Sequence, residues 1–248
     1  MMKEITQFEK HTVEIWRRPR QRHMHLRVRP GGELRVTCNK RVAKRDIFTF
    51  IRESEEFIKK CLLKLSEQQV RYPPKQLISG EPFLYFGTHR PLQIVWSWSA
   101  RIRVTILAEQ IEMVAPVSST AEQRRMALHR FLQKQAREVL SARVHLFAQQ
   151  MQLFPTDLVI RGQKTRWGSC SSKGKINLNW KLMAAPPEVI DYVVIHELAH
   201  LRHMNHSARF WNLVAEFFPE HRRAKQWLKA NETEIAVQFQ KISKAAQS

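Results

Sequence analysis

His196, Glu197 and His200 stand in the order H-E-x-x-H within the run Val189 to Trp211, VIDYVVIHELAHLRHMNHSARFW. Val189, Ile190, Val193, Val194 and Leu198 recur at helical spacing, which predicts a largely buried helix, and Pro186 and Pro187 suit its first turn. Residues four apart on a helix lie one above the other, roughly 6 Å along the axis, so the two imidazoles can share one metal ion. Glu197 is rotated by about 100° from His196, where its carboxylate can reach a water on that metal without ligating the ion. Residue types and spacing therefore point to zinc-hydrolase chemistry.

A catalytic zinc takes three protein ligands and keeps a fourth position for water, which leaves one ligand to find. His203 lies seven residues from His196, a rise of about 10.5 Å on a continuous helix, too far for both rings to hold one ion. His206 works only if the helix stops and the chain folds back. Asn205 tolerates the left-handed conformation such a stop uses, and Ser207 can cap a following helix carrying Phe210, Leu213, Val214 and Phe217. The segment thus reads as helix, ligand-bearing turn, helix. Imidazoles also accept Co²⁺, Ni²⁺ or Cu²⁺, so Zn²⁺ is inferred from ligand type.

At these residues the chain resembles the YgjP-like zinc metallopeptidases, relatives of the SprT-like and Wss-type proteases. Their H-E-L-x-H followed by N-H-S-x-x-F-W is similar to His196, Glu197, Leu198 and His200, then Asn205, His206, Ser207, Phe210 and Trp211. A second signature, RGQKTRWGSCSSKGKINLNW from Arg161 to Trp180, is similar too, and the likeness extends over nearly the whole chain. The resemblance implies a zinc-dependent peptidase with His196, His200 and His206 as metal ligands and Glu197 as general base. Tyr192, Arg166 and His203 are the candidates for a second oxyanion donor.

The elements that position this site follow from periodicity. Val13 and Ile15, then Met24, Leu26 and Val28, alternate with His23, His25, Arg27 and Arg29; Pro30, Gly31 and Gly32 turn the chain, and Leu34 and Val36 continue. This predicts a basic-faced hairpin with Trp16 beside it. Ile47, Phe50, Ile51, Phe57, Ile58, Cys61, Leu62 and Leu65 trace one face of a helix over Asp46 to Leu65, and Tyr72 to Gly80 reads as a linker. Strands are expected at Phe83 to Phe86, Leu92 to Trp96, Arg101 to Thr105 and Ile111 to Val114, making a small antiparallel sheet, with Trp96 and Trp98 in its core. Thr120 and Gln123 form a capping-box pair that opens a long helix to about Gln150, suited to lie against the metal-site helix. Two short strands follow, Leu158 to Ile160 and Ile176 to Trp180, with Asn177 and Asn179 on a polar outer face. The strand before the metal-site helix can offer its edge to an extended peptide. Beyond Pro219 a last helix runs from Glu220 to Ile235, and Gln238 to Ser248 reads as a frayed tail.

The expected fold is α+β: an N-terminal β-rich, Arg-rich portion, then a zincin-like metallopeptidase domain built on the H-E-x-x-H helix. The expected domains are a basic hairpin-plus-helix region at 1–75, a small antiparallel β region at 76–118 and the metallopeptidase domain at 119–248. The net charge of +20 is concentrated early, since residues 1–80 carry 19 basic and 9 acidic side chains. Such a field favours polyanions or acidic substrates, so the Arg-rich region is a candidate nucleic-acid contact beside a peptide or protein substrate. The cysteines number three, an odd count with no C-x-x-C pair, which suits a reducing compartment; Cys170 reads as a plain turn residue. No signal-peptide pattern or 18-residue apolar run is present, so a cytoplasmic protein without a membrane partner is expected. Two competing readings keep the same residues: a DNA- or RNA-binding protein with a structural metal, and a metal-dependent hydrolase of a non-peptide amide or ester.

Overall fold

The structure, a computed structural model, describes residues 2–29, 31–163 and 165–240. Contacts divide the chain into two units, Met1–Pro73 and Pro74–Ser248. In the first, β1 (Met2–Phe8), β2 (His11–Arg18), β3 (His25–Val28) and β4 (Leu34–Asn39) form one sheet in the order β1-β2-β4-β3. Alternation sorts its faces: Val13, Ile15, Leu34, Val36 and Cys38 are fully buried, while Glu14, Trp16 and Arg35 turn to the other side. The expected basic hairpin is β3 with β4; Pro30 of its turn lies outside the described residues. β2 runs parallel to β4, and its antiparallel partner is β1, which periodicity does not reveal. As an edge strand, β1 leaves Ile5 61% exposed and sets Glu4 opposite Ile15, so its apolar residues do not alternate.

Two helices, α1 (Lys44–Glu53) and α2 (Glu55–Arg71), replace the single helix expected over Asp46 to Leu65. They break at Ser54, whose Oγ donates to the Phe50 carbonyl at 2.8 Å and competes with the helical pattern. Ile47, Ile51 and Ile58 stay buried against the sheet, but the break shifts the helical phase and Phe57 is 51% exposed.

The second unit opens with β5 (Pro82–Tyr85), β6 (Thr88–Ser97), β7 (Arg103–Ile106) and β8 (Ile111–Pro116), in the order β5-β6-β8-β7. The sheet is mixed rather than antiparallel, because the β7–β8 hairpin folds over so that β8 runs parallel to β6. Trp96 and Trp98, expected in its core, are 52% and 98% exposed. The inward face of β6 ends at Ile94, and Trp96 meets instead the Arg124 guanidinium, 5.4 Å from its ring centroid. Helix α3 (Ala121–Met151) starts with the expected capping box: Gln123 N donates to Thr120 Oγ1 at 3.2 Å and Thr120 N to Gln123 Oε1 at 2.8 Å.

A three-stranded sheet follows, β10 (Gly168–Cys170), β11 (Lys175–Asn179) and β9 (Asp157–Arg161), with β11 in the centre. A 3-10 turn at Trp180–Ala184 leads to α4 (Pro187–Ala199), α5 (Ala208–Phe217) and α6 (His221–Gln238). Leu92 of β6, Ile111 of β8, Leu128 of α3, Leu178 of β11, Val194 of α4 and Leu228 of α6 share one hydrophobic core. Leu77, within the stretch read as a linker, belongs to that core at 1% exposure. At the far end Gln238 is buried rather than frayed: its Nε2 donates to the Leu84 carbonyl at 3.0 Å and its Oε1 accepts from Leu84 N at 2.7 Å. Residues 241–248 of the expected tail lie outside the described residues.

Candidate metal centre

Helix α4 is apolar on every side because it runs through the core: Val189, Ile190, Val193, Val194, Ile195 and Leu198 are all buried. An ion pair adds to that packing, Arg143 of α3 donating through Nη1 to both Asp191 carboxylate oxygens at 2.9 and 2.8 Å. With that face set, His196 and His200 emerge at its C-terminal end. The helix closes at His200, and the amides of Leu201, Arg202 and His203 bond back to Leu198 and Ala199, tightening the last turn. The expected left-handed stop at Asn205 is not used; among the described non-glycine residues only Glu9, Leu77, Phe86 and Gln152 have positive φ. Ser207 does occupy the N-cap of α5, in extended conformation, but its side chain makes no capping hydrogen bond.

This reversal brings the third imidazole home. Ring nitrogens of His196, His200 and His206 all lie within 4.8 Å of one another, and Nε2 of His206 is 3.2 Å from Nε2 of His196. His200 Nδ1 lies 3.0 Å from the His203 carbonyl; donation there leaves the Nε2 lone pair free for a metal. His203 thus contributes its backbone. Phe210 packs on all three rings, with centroids 4.9, 4.5 and 4.8 Å from those of His196, His200 and His206, and Trp211 stacks on His206 at 5.7 Å. Burial and the neighbouring histidines push the His196 pKa down to about 3, and burial lowers that of His200. Neutral imidazole is the form that ligates metal. None of the three rings has a carboxylate partner among the described residues, so the donor set fits a divalent cation.

Glu197 is 5% exposed and its Oε2 has no hydrogen-bond partner. Burial pushes its carboxyl up to about 8, with the Arg166 guanidinium opposing. Gly168 lies directly against it: a Cβ there would stand 2.5 Å from Oε1, 2.6 Å from Cγ and 2.7 Å from Cδ. Only glycine lets β10 approach the carboxylate so closely, a role that the sequence signals only as a lone glycine at a strand. Asn179 is the second residue whose part was missed. Expected on an outer face, Asn177 and Asn179 are buried at 8% and 2%, because β11 is the central strand. Asn179 Nδ2 donates to the Gln163 and Arg166 carbonyls, each at 2.9 Å, and its Oδ1 accepts from Lys181 N at 3.2 Å. It therefore pins the loop that delivers Trp167 and Gly168.

The exposed edge beside α4 is β10, not β11. Cys170 lies in β10 rather than in a turn, and burial together with Glu197 raises its pKa, which disfavours a reactive thiolate. Tyr192 is buried one turn before His196, with ring centroids 5.8 Å apart, and burial followed by Glu197 pushes its hydroxyl up to about 12. Arg166 is exposed and His203 half-buried. A cavity of about 420 Å³ bordered by Trp167, Gly168, Tyr192, His196, Glu197 and Leu228 opens beside the histidines. A larger one of about 750 Å³, between Ile102, Pro116 and Phe131, contains none of them.

Among solved structures, the chain is similar to the metallopeptidase zymogen abylysin of Pyrococcus abyssi, at 25% identity and a TM-score of 0.35 over 38% of this chain and 95% of that one. It is similar also to the metallopeptidase zymogen jannalysin of Methanocaldococcus jannaschii, at 19% identity and a TM-score of 0.35 over 38% and 96%. No curated protein matches. Residues 22–231 match the YgjP-like metallopeptidase domain, a span that holds the three histidines, Glu197, Gly168 and Asn179. With most of its length inside that match, the chain belongs to the YgjP-like metallopeptidase family.

Proposed function

We propose that the protein is a zinc-dependent peptidase in which His196, His200 and His206 hold the ion and Glu197 is the general base. The observation that carries this reading is the convergence of three imidazoles beside a buried carboxylate whose Oε2 has no partner. Zinc held by these three histidines would supply Lewis acidity toward water and a peptide carbonyl, and its charge would favour the ionised form of Glu197. Glu197 accepts the proton of the attacking water and passes it to the leaving amine. Gly168 leaves room for that carboxylate, and the core around α4 fixes its position. Tyr192 is the preferred second oxyanion donor over Arg166 and His203, since it shares the cavity with Glu197 and stays protonated at neutral pH. The free edge of β10 can pair with an extended substrate backbone and hold it across the histidines. On this reading the second unit is a zincin-like peptidase domain whose substrates are peptides or proteins.

The test is digestion of an unfolded protein by metal-loaded wild type and Glu197→Gln, with fragments identified by mass spectrometry and bound zinc measured in both. Cleavage by the wild type alone, at equal zinc content, supports the assignment. A fully active Glu197→Gln protein removes Glu197 from the mechanism, and a wild type that cuts no peptide bond redirects the search to amides and esters.

A second role for the first unit rests on a separate observation. Arg18, Arg20, Arg22 and Arg27 are exposed and have no carboxylate partner among the described residues. We infer a polyanion contact there, nucleic acid in particular. Binding of single-stranded DNA that weakens steeply with salt and is lost in a four-fold Arg→Gln variant is the expected result; salt-independent or absent binding removes it.

A further inference from the structure

The cavity beside Glu197 has an uneven wall. On one side stand Trp167 and Tyr192, and on the other α6 presents Lys225, Leu228, Lys229 and Glu232 at helical spacing. Lys225 and Lys229 are exposed, and neither makes an ion pair among the described residues, whereas Lys3, Lys44 and Lys59 each hold a glutamate at 2.9 to 3.1 Å. Lys225 lies near the metal centre: its Nζ is 5.3 Å from the centroid of Trp211, a ring that also packs against His196 and His206. Glu232, on the same wall, follows Lys229 by three residues but lies about 10 Å along the helix from Lys225, and the Glu197 carboxylate borders the cavity from α4. The wall that α6 gives the cavity is therefore cationic toward its Lys225 end, Trp167 and Leu228 add apolar surface, and the volume of about 420 Å³ falls within the range of small-ligand pockets.

We propose that this cavity is a subsite for an acidic side chain. The substrate residue beside the scissile bond is an aspartate or glutamate whose carboxylate is held by Lys225 and Lys229 while its methylenes lie against Trp167 and Leu228. The proposal rests on the peptidase reading and adds the substrate class. Lysine is suited to it as a flexible point charge that follows a carboxylate on a mobile chain. Both lysines are in water, so the selectivity is moderate and salt-sensitive.

The test uses short peptides that differ only by Glu for Gln, bound to the zinc-loaded Glu197→Gln protein and measured by calorimetry, with wild-type kcat/KM on the same pair. The expected preference for the Glu peptide is about 10-fold at low salt. It should shrink as salt rises, vanish in Lys225→Gln/Lys229→Gln and turn toward a Lys peptide in Lys225→Glu/Lys229→Glu. Equal affinity for the Glu and Gln peptides, no measurable binding of either, or a preference that survives in Lys225→Gln/Lys229→Gln overturns the subsite. The two readings fail separately. Wild-type cleavage without preference leaves the peptidase and removes the subsite, while selective binding without cleavage does the reverse.

Discussion

Glu14 of the first unit and Glu197 of the second leave 6% and 5% of their surfaces accessible, yet their surroundings drive the two carboxyls in opposite directions. Around Glu14 stand Lys3 at 3.0 Å, Arg29 at 3.1 Å and Arg35, whose Nε and Nη2 donate at 2.9 and 2.8 Å. Their hydrogen bonds and charges hold its pKa down at about 2. What covers Glu14 is its own cationic partners, so little desolvation has to be overcome. Glu197 is covered by the core itself, has no ion pair among the described residues, and is pushed up to about 8. Low accessibility alone therefore does not define a carboxylate's chemistry; the identity of the atoms that exclude the water does. One glutamate is a structural hub that ties three strands of a sheet, and the other is the group that the proposed mechanism uses as its proton acceptor.

The comparison breaks first at Glu197. Glu197→Gln should cost about 100- to 10,000-fold in turnover, the range for a general acid–base group, with melting temperature unchanged or raised because a strained ionisable group has been removed. A variant that loses activity and melts much lower would make Glu197 structural after all. Gly168→Ala comes next. Its methyl must displace the Glu197 carboxylate or β10, and we expect a loss of about 10- to 100-fold in kcat/KM with zinc content intact, since misplacement of a reacting group by about 1 Å has that scale.

Glu14→Gln is the converse experiment. It should leave peptidase activity alone and destabilise the protein by about 1 to 2 kcal/mol, less than loss of a fully enclosed pair because Lys3 and Arg29 reach into water. Calorimetry of the full chain measures it, and equal melting of wild type and variant at pH 7 would deny Glu14 its role. The smallest effect sharpens the contrast through pH. The folded pKa of Glu14, about 2, lies below the ordinary 4.5, so its stabilisation is fully present above about pH 4.5 and is lost as pH falls toward 2. The melting difference between wild type and Glu14→Gln should accordingly close over that interval; a difference that stays constant from pH 7 to pH 2.5 would contradict the pairing.

The part of the site readable from sequence is the part built on a helix. His196, Glu197 and His200 have fixed relative positions once α4 is recognised, and His206 follows from the distance that excludes His203. The residues supplied by the small sheet were not readable in the same way. Asn179 looks like a surface residue because alternation with Leu178 assigns it the face opposite the core, and nothing local announces that a loop folds over that face. Gly168 matters through a contact with a residue far along the chain. In the fold, Trp96 and Trp98 mislead because hydrophobicity does not say where a sheet ends, and β1 is hidden because an edge strand has no need of an apolar face. The split of α1 from α2 turns on the single hydroxyl of Ser54.

The amide of Gln238 carries a consequence for biosynthesis. It completes the backbone hydrogen bonds of Leu84, 154 residues earlier, at the end of the same helix that forms one wall of the cavity. A nascent chain emerging from the ribosome displays its histidines and Glu197 before that wall exists, and β5 waits unpaired on this side until residue 238 arrives. Completion of the cavity beside Glu197 thus has to wait until α6 has been translated, late in the synthesis of the second unit.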